Sequence, residues 1–265
     1  MTSSTTAKTD PYQYARYYDL TFPRDYATEG EFLAWASDRY NTSGDRSFLE
    51  LGCGPAGHAR QMARRGFRAI GLDLVEEMIV FAREEAAREK VPLETILGDM
   101  TDFTLERPVG MIACLLETIC VLQTNELMVK HLRAVARNLL PGGIYVFQTA
   151  HPRYSLAPYD DDVRTWTEGD TRVEMMWGHP HDVQDPVSQV VRCTRRLVVR
   201  EGGKVTVNIE NHIDQRYHLH QELRALIELS GVFAESHWFG KLALPPLPLS
   251  AERACNSMIG VLVKR

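Results

Sequence analysis

The chain lacks several features that would assign it to a specialised class of protein. None of its five cysteines forms a C-x-x-C pair, and their odd number gives no indication of a disulfide framework or a structural zinc site. No apolar run approaches the ~18 residues of a membrane-spanning helix. The first residues are polar and have no apolar core like that of a signal peptide. We therefore expect a cytoplasmic protein with no metal and no membrane partner.

Basic patches are also scarce. The chain of 265 residues has 30 Lys and Arg against 35 Asp and Glu, which gives a net charge of −5. The nearest candidates for a basic surface are two pairs, Arg64-Arg65 and Arg195-Arg196, whereas proteins that grip a nucleic-acid backbone usually carry a basic stripe. This balance argues against nucleic acid as a partner and favours a small-molecule ligand. The charge balance does not argue against a homodimer, which stays a possible assembly.

Strand and helix patterns alternate between residues 47 and 148. Five buried strands are predicted at 47–51, 67–72, 91–97, 109–116 and 144–147, with helices at about 58–65, 75–86 and 125–140. This alternation predicts an α/β protein built on a doubly wound parallel sheet.

The pattern changes after the fifth strand. Residues 151–217 show no convincing helix but contain strand-like stretches on both sides of the turn Glu201-Gly202-Gly203, which predicts a hairpin. A helix at about 221–229 and two final strands follow, while residues 1–12 resemble a loose tail. We therefore divide the chain into an N-terminal tail and helical lid (1–45), an α/β core (46–150 and 218–265) and an antiparallel β cap that binds the acceptor (151–217).

Glycines follow the first strand, in Glu50-Leu51-Gly52-Cys53-Gly54-Pro55-Ala56-Gly57. Open α/β sheets bind ligands at the carboxyl ends of their strands, and glycine lets a ligand approach the backbone closely. Gly52, Gly54 and Gly57 also satisfy the dinucleotide fingerprint, and Asp73 stands where an NAD site needs its ribose acid. An NAD-dependent oxidoreductase is therefore the first alternative.

Two features argue against a dinucleotide. Glu50 would bring a carboxylate close to a pyrophosphate, whereas S-adenosylmethionine (SAM) has no phosphate and carries a positive sulfonium and a positive amino group. A dinucleotide fold would also repeat a second mononucleotide-binding half. Here the chain continues with Pro141-Gly142-Gly143, a strand, the insertion, a helix and two strands. The pattern favours SAM.

Acidic residues close the second and third strands. Asp73 can accept both hydroxyls of a ribose, or it can cap the helix that begins near Val75. Asp99 can accept the adenine amine while Met100 offers a backbone N–H, or it can be a turn residue. The preceding glycine loop favours ribose binding for Asp73 and leaves both roles open for Asp99.

The chain resembles the class I SAM-dependent methyltransferase family in four motifs: Glu50-Leu51-Gly52-Cys53-Gly54, Gly71-Leu72-Asp73, Gly98-Asp99-Met100 and Leu140-Pro141-Gly142-Gly143. The resemblance covers about residues 14–150 and 210–265. It implies a Rossmann-like methyltransferase sheet with an antiparallel β insertion after the fifth strand. It also implies a SAM site, with the methionine end at Glu50, Gly52 and Gly54, the ribose at Asp73, and the adenine near Leu74, Met78, Asp99 and Met100. Leu115 is a further predicted cofactor residue. In this family the glycine equivalent to Gly57 usually comes one place earlier.

A narrower resemblance links Tyr18-Asp19-Leu20, Arg24-Asp25-Tyr26, Glu29 and the segment 212–217 to methyltransferases that N-methylate nucleotide-linked amino sugars in antibiotic pathways. It implies that Tyr18 closes over SAM. Tyr26 and His212 are then candidates for contacts with the acceptor. After the fourth strand, where that group can carry a histidine, this chain has Glu117-Thr118-Ile119-Cys120-Val121.

Glu117 and His151 are the candidate catalytic residues, because each follows a strand at the ligand edge of the sheet. Glu117 could orient an ammonium or accept its proton, and His151 could act as a base. The alternatives are a solvated turn acid and an exposed loop histidine. We expect an enzyme that methylates an amine of a small specialised metabolite. The other hypotheses are an O- or C-methyltransferase, an RNA or protein methyltransferase, which the charge disfavours, and a SAM-binding protein that transfers no methyl group.

Overall fold

The structure is a computed structural model that describes residues 8–154, 159–160 and 162–265. The helices within these ranges are α1 (Ala15–Thr21), α2 (Tyr26–Tyr40), α3 (Gly57–Arg64), α4 (Glu76–Glu89), α5 (Asn125–Asn138) and α6 (His220–Ser230), with short 3-10 helices at Pro11–Tyr14 and Thr118–Val121. The strands are β1 (Ser47–Leu51), β2 (Arg68–Asp73), β3 (Glu94–Leu97), β4 (Val109–Cys114), β5 (Leu139–Ala150), β6 (Val163–Glu168), β7 (Thr171–Trp177), β8 (Gln184–Asp185), β9 (Val190–Glu201), β10 (Lys204–Arg216), β11 (Phe233–Phe239) and β12 (Ser257–Lys264).

The described strands form two sheets, and the larger has the order β3-β2-β1-β4-β5-β12-β11. Strand β1 pairs in parallel with β2 and β4, while β12 runs antiparallel to both β5 and β11. This confirms the predicted doubly wound sheet. Chain order reverses between β1 and β4, and such a switch point opens a ligand crevice at the carboxyl ends of the strands.

Helices cover both faces of this sheet, so its central strands are apolar along most of their length. Every residue of β1 and β4 is buried. One core cluster includes Leu51, Leu132 and Tyr145, and a second, separate cluster includes Phe32 and Met62. A strand that is covered on both faces of the sheet needs apolar side chains on both faces. Such strands therefore stand out in the sequence as continuous apolar runs.

Strand β5 is longer than predicted. The pairing of β4 with β5 starts at Leu139 opposite Val109 and resumes at Ile144 opposite Met111, so the residues between them are irregular. Gly142 has a φ of 72°, a left-handed conformation that suits glycine. Helix α5 therefore ends at Asn138, before the Pro141-Gly142-Gly143 motif, which lies inside the strand that follows.

The second sheet is antiparallel, with the order β10-β9-β7-β6 and with β8 paired to β9. Lys204 pairs with Glu201, which confirms the predicted hairpin. Its small core is formed by Val173, Met175, Leu197 and Val199, and aromatic side chains from the N-terminal segment, including Tyr18 and Phe22, pack against it. The predicted antiparallel insertion is therefore present, while the domain boundaries remain predictions.

The N-terminal segment is anchored where a loose tail was predicted. Arg195 of β9 is 2% exposed, and its Nη2 donates to Asp10 Oδ2 at 2.7 Å. Its guanidinium lies 4.9 Å from the centre of the Tyr12 ring and 5.1 Å from that of Trp177. The prediction is therefore wrong for residues 8–12, and residues 1–7 lie outside the described part of the chain.

No helix in the described ranges is long and apolar enough to cross a bilayer. The same residues include no group of three or more His, Cys, Asp or Glu side chains arranged to hold a metal ion. All five cysteines are buried and free.

Candidate active site

The glycine loop joins β1 to α3 at the switch point of the sheet. Gly52 and Gly54 have φ values of 58° and 50°, which glycine adopts at little cost. A Cβ on Gly52 would come within 2.4 Å of the Thr118 side chain. The backbone N–H of Cys53 donates to the carbonyl of Leu72 at 3.0 Å and so ties the loop to β2.

Gly57 is needed because of Tyr26. A Cβ at position 57 would lie 2.2 Å from Tyr26 Cζ. Ala56, where the family usually has glycine, takes the left-handed conformation itself, with a φ of 57°. The Tyr26 ring also meets His58 edge to face, with the ring centres 4.9 Å apart. Tyr26 therefore packs on the glycine loop, and its contact with the acceptor remains a prediction.

Glu50 points behind the loop. Its side chain is buried, with Oε1 at 2.8 Å from His58 Nδ1 and Oε2 accepting from the N–H of Ala59 at 2.8 Å. Both carboxylate oxygens therefore have partners within the chain. These bonds give Glu50 a role in supporting the loop, and its contact with the methionine end of SAM remains a prediction.

His58 is the important residue that our sequence reasoning missed. It is fully buried, and its Nε2 lies 2.7 Å from Glu29 Oε2. Burial alone would lower the pKa of His58, but the carboxylates of Glu50 and Glu29 outweigh it and raise the pKa to about 9. The only signal in the sequence was a histidine directly after the glycine loop.

Asp73 lies at the end of β2, and its carboxylate bonds the glycine loop. Its Oδ2 accepts from the N–H of Gly54 at 2.8 Å and its Oδ1 from that of Val75 at 2.9 Å. Burial raises the pKa of Asp73, although these backbone donors oppose the shift. A carboxylate oxygen has two lone pairs, so both oxygens keep a site at which a ribose hydroxyl can donate.

Tyr18 lies close enough to Asp73 for the charge of that carboxylate to affect the pKa of the Tyr18 hydroxyl. Burial, followed by the charge of Asp73, raises the pKa of Tyr18 to about 12. The ring stacks on Phe22 at a centroid distance of 4.7 Å and meets Trp177 of the second sheet at 6.2 Å. This aromatic group connects the predicted ribose acid with the second sheet.

Of the other predicted cofactor residues, some are buried and support the site, while others lie at the surface. Met78 and Leu115 are buried, and Met78 Sδ lies 3.8 Å from where a Cβ on Gly54 would be. Leu74 is 73% exposed at the end of β2, an apolar side chain that a ligand could cover. Asp99 is exposed, and its Oδ1 accepts from the N–H of Thr101 at 2.7 Å, as its predicted alternative as a turn residue requires.

Met100 lies at the same strand end as Asp99 and is buried. Its carbonyl oxygen is 3.0 Å from His131 Nδ1. This contact uses the carbonyl of Met100 and not the backbone N–H that is predicted to contact adenine.

Glu117 follows β4 in an unusual backbone conformation. Leu116 and Glu117 both have left-handed φ values, 56° and 61°, which are uncommon outside glycine and occur often at functional sites. The Glu117 side chain reaches solvent, yet protein surrounds it closely enough that burial raises its pKa, an effect that Arg24 partly opposes. A carboxylate that is both accessible and desolvated in this way is typical of a cleft.

The end of β10 approaches the same region. Gln123, just beyond the 3-10 helix after Glu117, donates from Nε2 to the Asp214 carbonyl at 3.2 Å, and Arg216 Nη1 donates to the Gln123 carbonyl at 3.3 Å. His212, the predicted acceptor contact, is exposed farther back on β10, opposite Thr194. The described contacts of this strand end thus involve Asp214 and Arg216, and the contact of His212 with the acceptor remains a prediction.

His151 does not offer a free base. Its side chain is buried, Nε2 lies 2.9 Å from the Ser250 carbonyl, and Nδ1 accepts from the N–H of Arg153 at 3.1 Å. A neutral imidazole has one donor and one acceptor nitrogen, and both are engaged. The predicted catalytic role of His151 is therefore replaced by a structural one.

The residues at the strand ends fit SAM. Gly52 and Gly54 expose backbone, Asp73 has acceptor sites for a ribose, and Leu74 presents an uncovered apolar surface. The larger sheet, with its antiparallel β12, also differs from the paired halves of a dinucleotide fold. The fold and the strand-end residues are therefore similar to those of class I methyltransferases, a class whose methyl donor is SAM.

Comparison with known proteins agrees with this class. Residues 48–143 match the family described as "Methyltransferase domain", and the chain carries such a domain. A dTDP-4-amino-2,3,4,6-tetradeoxy-D-glucose N,N-dimethyltransferase of Saccharopolyspora spinosa is 31% identical over 47% of this chain and 48% of its own length. A dTDP-3-amino-3,4,6-trideoxy-alpha-D-glucopyranose N,N-dimethyltransferase of Streptomyces venezuelae is 30% identical over 51% of this chain and 56% of its own. The chain thus spans about half the length of these curated relatives.

A solved structure extends the likeness to the whole fold. The sugar N-methyltransferase KedS8 from Streptoalloteichus sp. ATCC 53650 has a TM-score of 0.73 and 19% identity, over 100% of this chain and 97% of that one. The match includes the second sheet. The predicted resemblance to amino-sugar N-methyltransferases is confirmed at the level of the methyltransferase domain and the fold.

Proposed function

We propose that the chain transfers a methyl group from SAM to an amine of a small, polar specialised metabolite. The observation that carries the acceptor class is Glu117, an accessible but desolvated carboxylate at the end of β4. The names of the two dimethyltransferase relatives support an amino sugar linked to a nucleotide as the first acceptor to test.

The residues at the carboxyl ends of the strands would bind the cofactor. When bound, SAM supplies an activated methyl group on a sulfonium. Gly52 and Gly54 would hold its methionine end through backbone groups, and Asp73 would accept the ribose hydroxyls. Tyr18 and the second sheet would exclude water, which suits a reaction that depends mainly on positioning and desolvation, effects together worth ~7–11 kcal/mol.

Glu117 would serve the acceptor. An amine attacks through its lone pair and must therefore lose its proton if it arrives as an ammonium. Burial raises the pKa of Glu117 and so makes its carboxylate a stronger base, which can attract the ammonium and take that proton. A neutral amine needs no base, so Glu117 would act mainly by orientation.

The test is a SAM-dependent assay on a matched panel of amines and hydroxyl compounds, including dTDP-linked amino sugars, with the methylated atom located by mass spectrometry. For an amine acceptor, Glu117→Gln should reduce kcat modestly, by less than ~10-fold, because positioning dominates. Glu106→Gln, at an exposed loop acid, is the control and should have no effect.

Two other outcomes are informative. If only hydroxyls are methylated and Glu117→Gln costs on the order of 10²–10⁴-fold, Glu117 is an essential base and the enzyme is an O-methyltransferase. If SAM binds but no compound in the panel is methylated, the methyl-transfer proposal itself loses its support.

A further inference from the structure

A chain of alternating charges runs from β1 to the segment before α2. Glu50 Oε1 lies 2.8 Å from His58 Nδ1, and His58 Nε2 lies 2.7 Å from Glu29 Oε2. The second oxygen of Glu29 accepts from Arg24 Nη2 at 2.6 Å. Four ionisable groups from three parts of the chain are thereby connected end to end.

The geometry indicates the charge on the histidine. Ionised carboxylates only accept hydrogen bonds, and a neutral imidazole has a single N–H. Because both ring nitrogens of His58 face a carboxylate, both must donate, so the ring is an imidazolium. Two anions, Glu50 and Glu29, then balance two cations, His58 and Arg24. This balance is what a fully buried charge requires.

The same contacts dock the segment 24–29 onto the glycine loop. Tyr26 lies edge to face on His58, and its ring fills the space beside Gly57 that a Cβ would otherwise occupy. Arg24 also acts on the acceptor side, because its charge opposes the raised pKa of Glu117. The segment therefore contacts the glycine loop directly and acts on Glu117 through the charge of Arg24.

We propose that His58 is a positioning residue that holds the segment Arg24–Glu29 against the glycine loop and thereby sets the shape of the SAM site. It acts through Gly57 and Tyr26, without touching the reacting atoms. The inference rests on the proposed function to the extent that the glycine loop is taken to bind SAM.

The test measures binding of S-adenosylhomocysteine by calorimetry, so that it needs no acceptor. His58→Gln should raise the Kd by on the order of 10-fold or more, and Glu29→Gln should raise it less, because the Glu50 contact remains. The matched control is His237→Gln, which removes another histidine paired with a glutamate, Glu235, at 3.1 Å on β11. Its Kd should equal that of the wild type.

The pH profile of the Kd separates positioning from a merely structural role. The groups that face His58 are Glu50 from β1, Glu29 and Tyr26 from α2, and Arg24 through Glu29. Wild-type affinity should fall as the pH rises through about 9, where His58 loses its proton. In Glu29→Gln this fall should move to lower pH, since only one carboxylate then stabilises the imidazolium.

A residue that only stabilises the fold would lower the unfolding midpoint of the variants and leave the Kd and its pH profile unchanged, and that result would overturn the proposal. Glu29→Gln keeps the test valid if His58→Gln does not fold. A wild-type protein that fails to bind S-adenosylhomocysteine would overturn the proposed function first. Tight wild-type binding with unaltered variants would overturn this inference alone.

Discussion

Raising the pH should destabilise the folded protein through His58. Its pKa rises from the ordinary 6.5 to about 9 because two carboxylates face it, although burial alone would lower it. A base whose pKa is higher in the folded state binds its proton more tightly there. Its contribution to stability is therefore fully present below pH 6.5 and is lost as the pH rises through about 9.

The size of this effect follows from the two pKa values. The gap between 6.5 and about 9 corresponds to ~3 kcal/mol, at ~1.4 kcal/mol for each pH unit. Single domains are typically stable by only ~5–15 kcal/mol. The loss should therefore be easy to measure.

The assay is urea unfolding of the wild type and of His58→Gln, from about pH 6 to about pH 10. Because other groups titrate in both proteins, the informative quantity is the difference between their unfolding free energies. It should shrink by ~3 kcal/mol as the pH rises through this range. Burial lowers the pKa of His131 and of His218 to about 4, and both titrate alike in the wild type and in the variant, so their contributions cancel in this difference. A difference that stays constant with pH would refute the protonated, carboxylate-paired state of His58.

Three further substitutions test the site and its surroundings. Gly57→Ala should cost ~1–3 kcal/mol of unfolding free energy, because the new methyl group meets the Tyr26 ring, and a neutral result in urea unfolding would show that the ring is not held there. Asp73→Ala should raise the Kd for S-adenosylhomocysteine ~10- to 100-fold by removing its charged hydrogen bonds; unchanged calorimetry would remove Asp73 from the site. Arg195→Met should increase hydrogen exchange in the segment 8–22, whereas the exposed neighbour Arg196→Met should not, and equal exchange in both variants would contradict the anchoring contact.

Local pattern determined much of the fold. Strands β1 and β4 are apolar on both faces because helices cover both faces of the sheet, so each stands out as a run in the sequence. Strand β6 was missed because most of its side chains are exposed and nothing in its own residues specifies its pairing with β7. The strand propensity of a half-exposed segment is a weak signal, because packing against the partner strand decides whether the segment forms a strand.

The sequence by itself determined that a glycine loop ends β1 and that acids end β2 and β3, because turn chemistry and strand ends are local properties. Only the tertiary structure decided which way each side chain points. Glu50 points to His58 because α3 follows the glycine loop. The ring of His151 contacts the carbonyl of Ser250, which is far away in the sequence. Hydrogen-bond partners come from whatever element packs nearby, and that choice depends on the whole fold and not on neighbours in sequence.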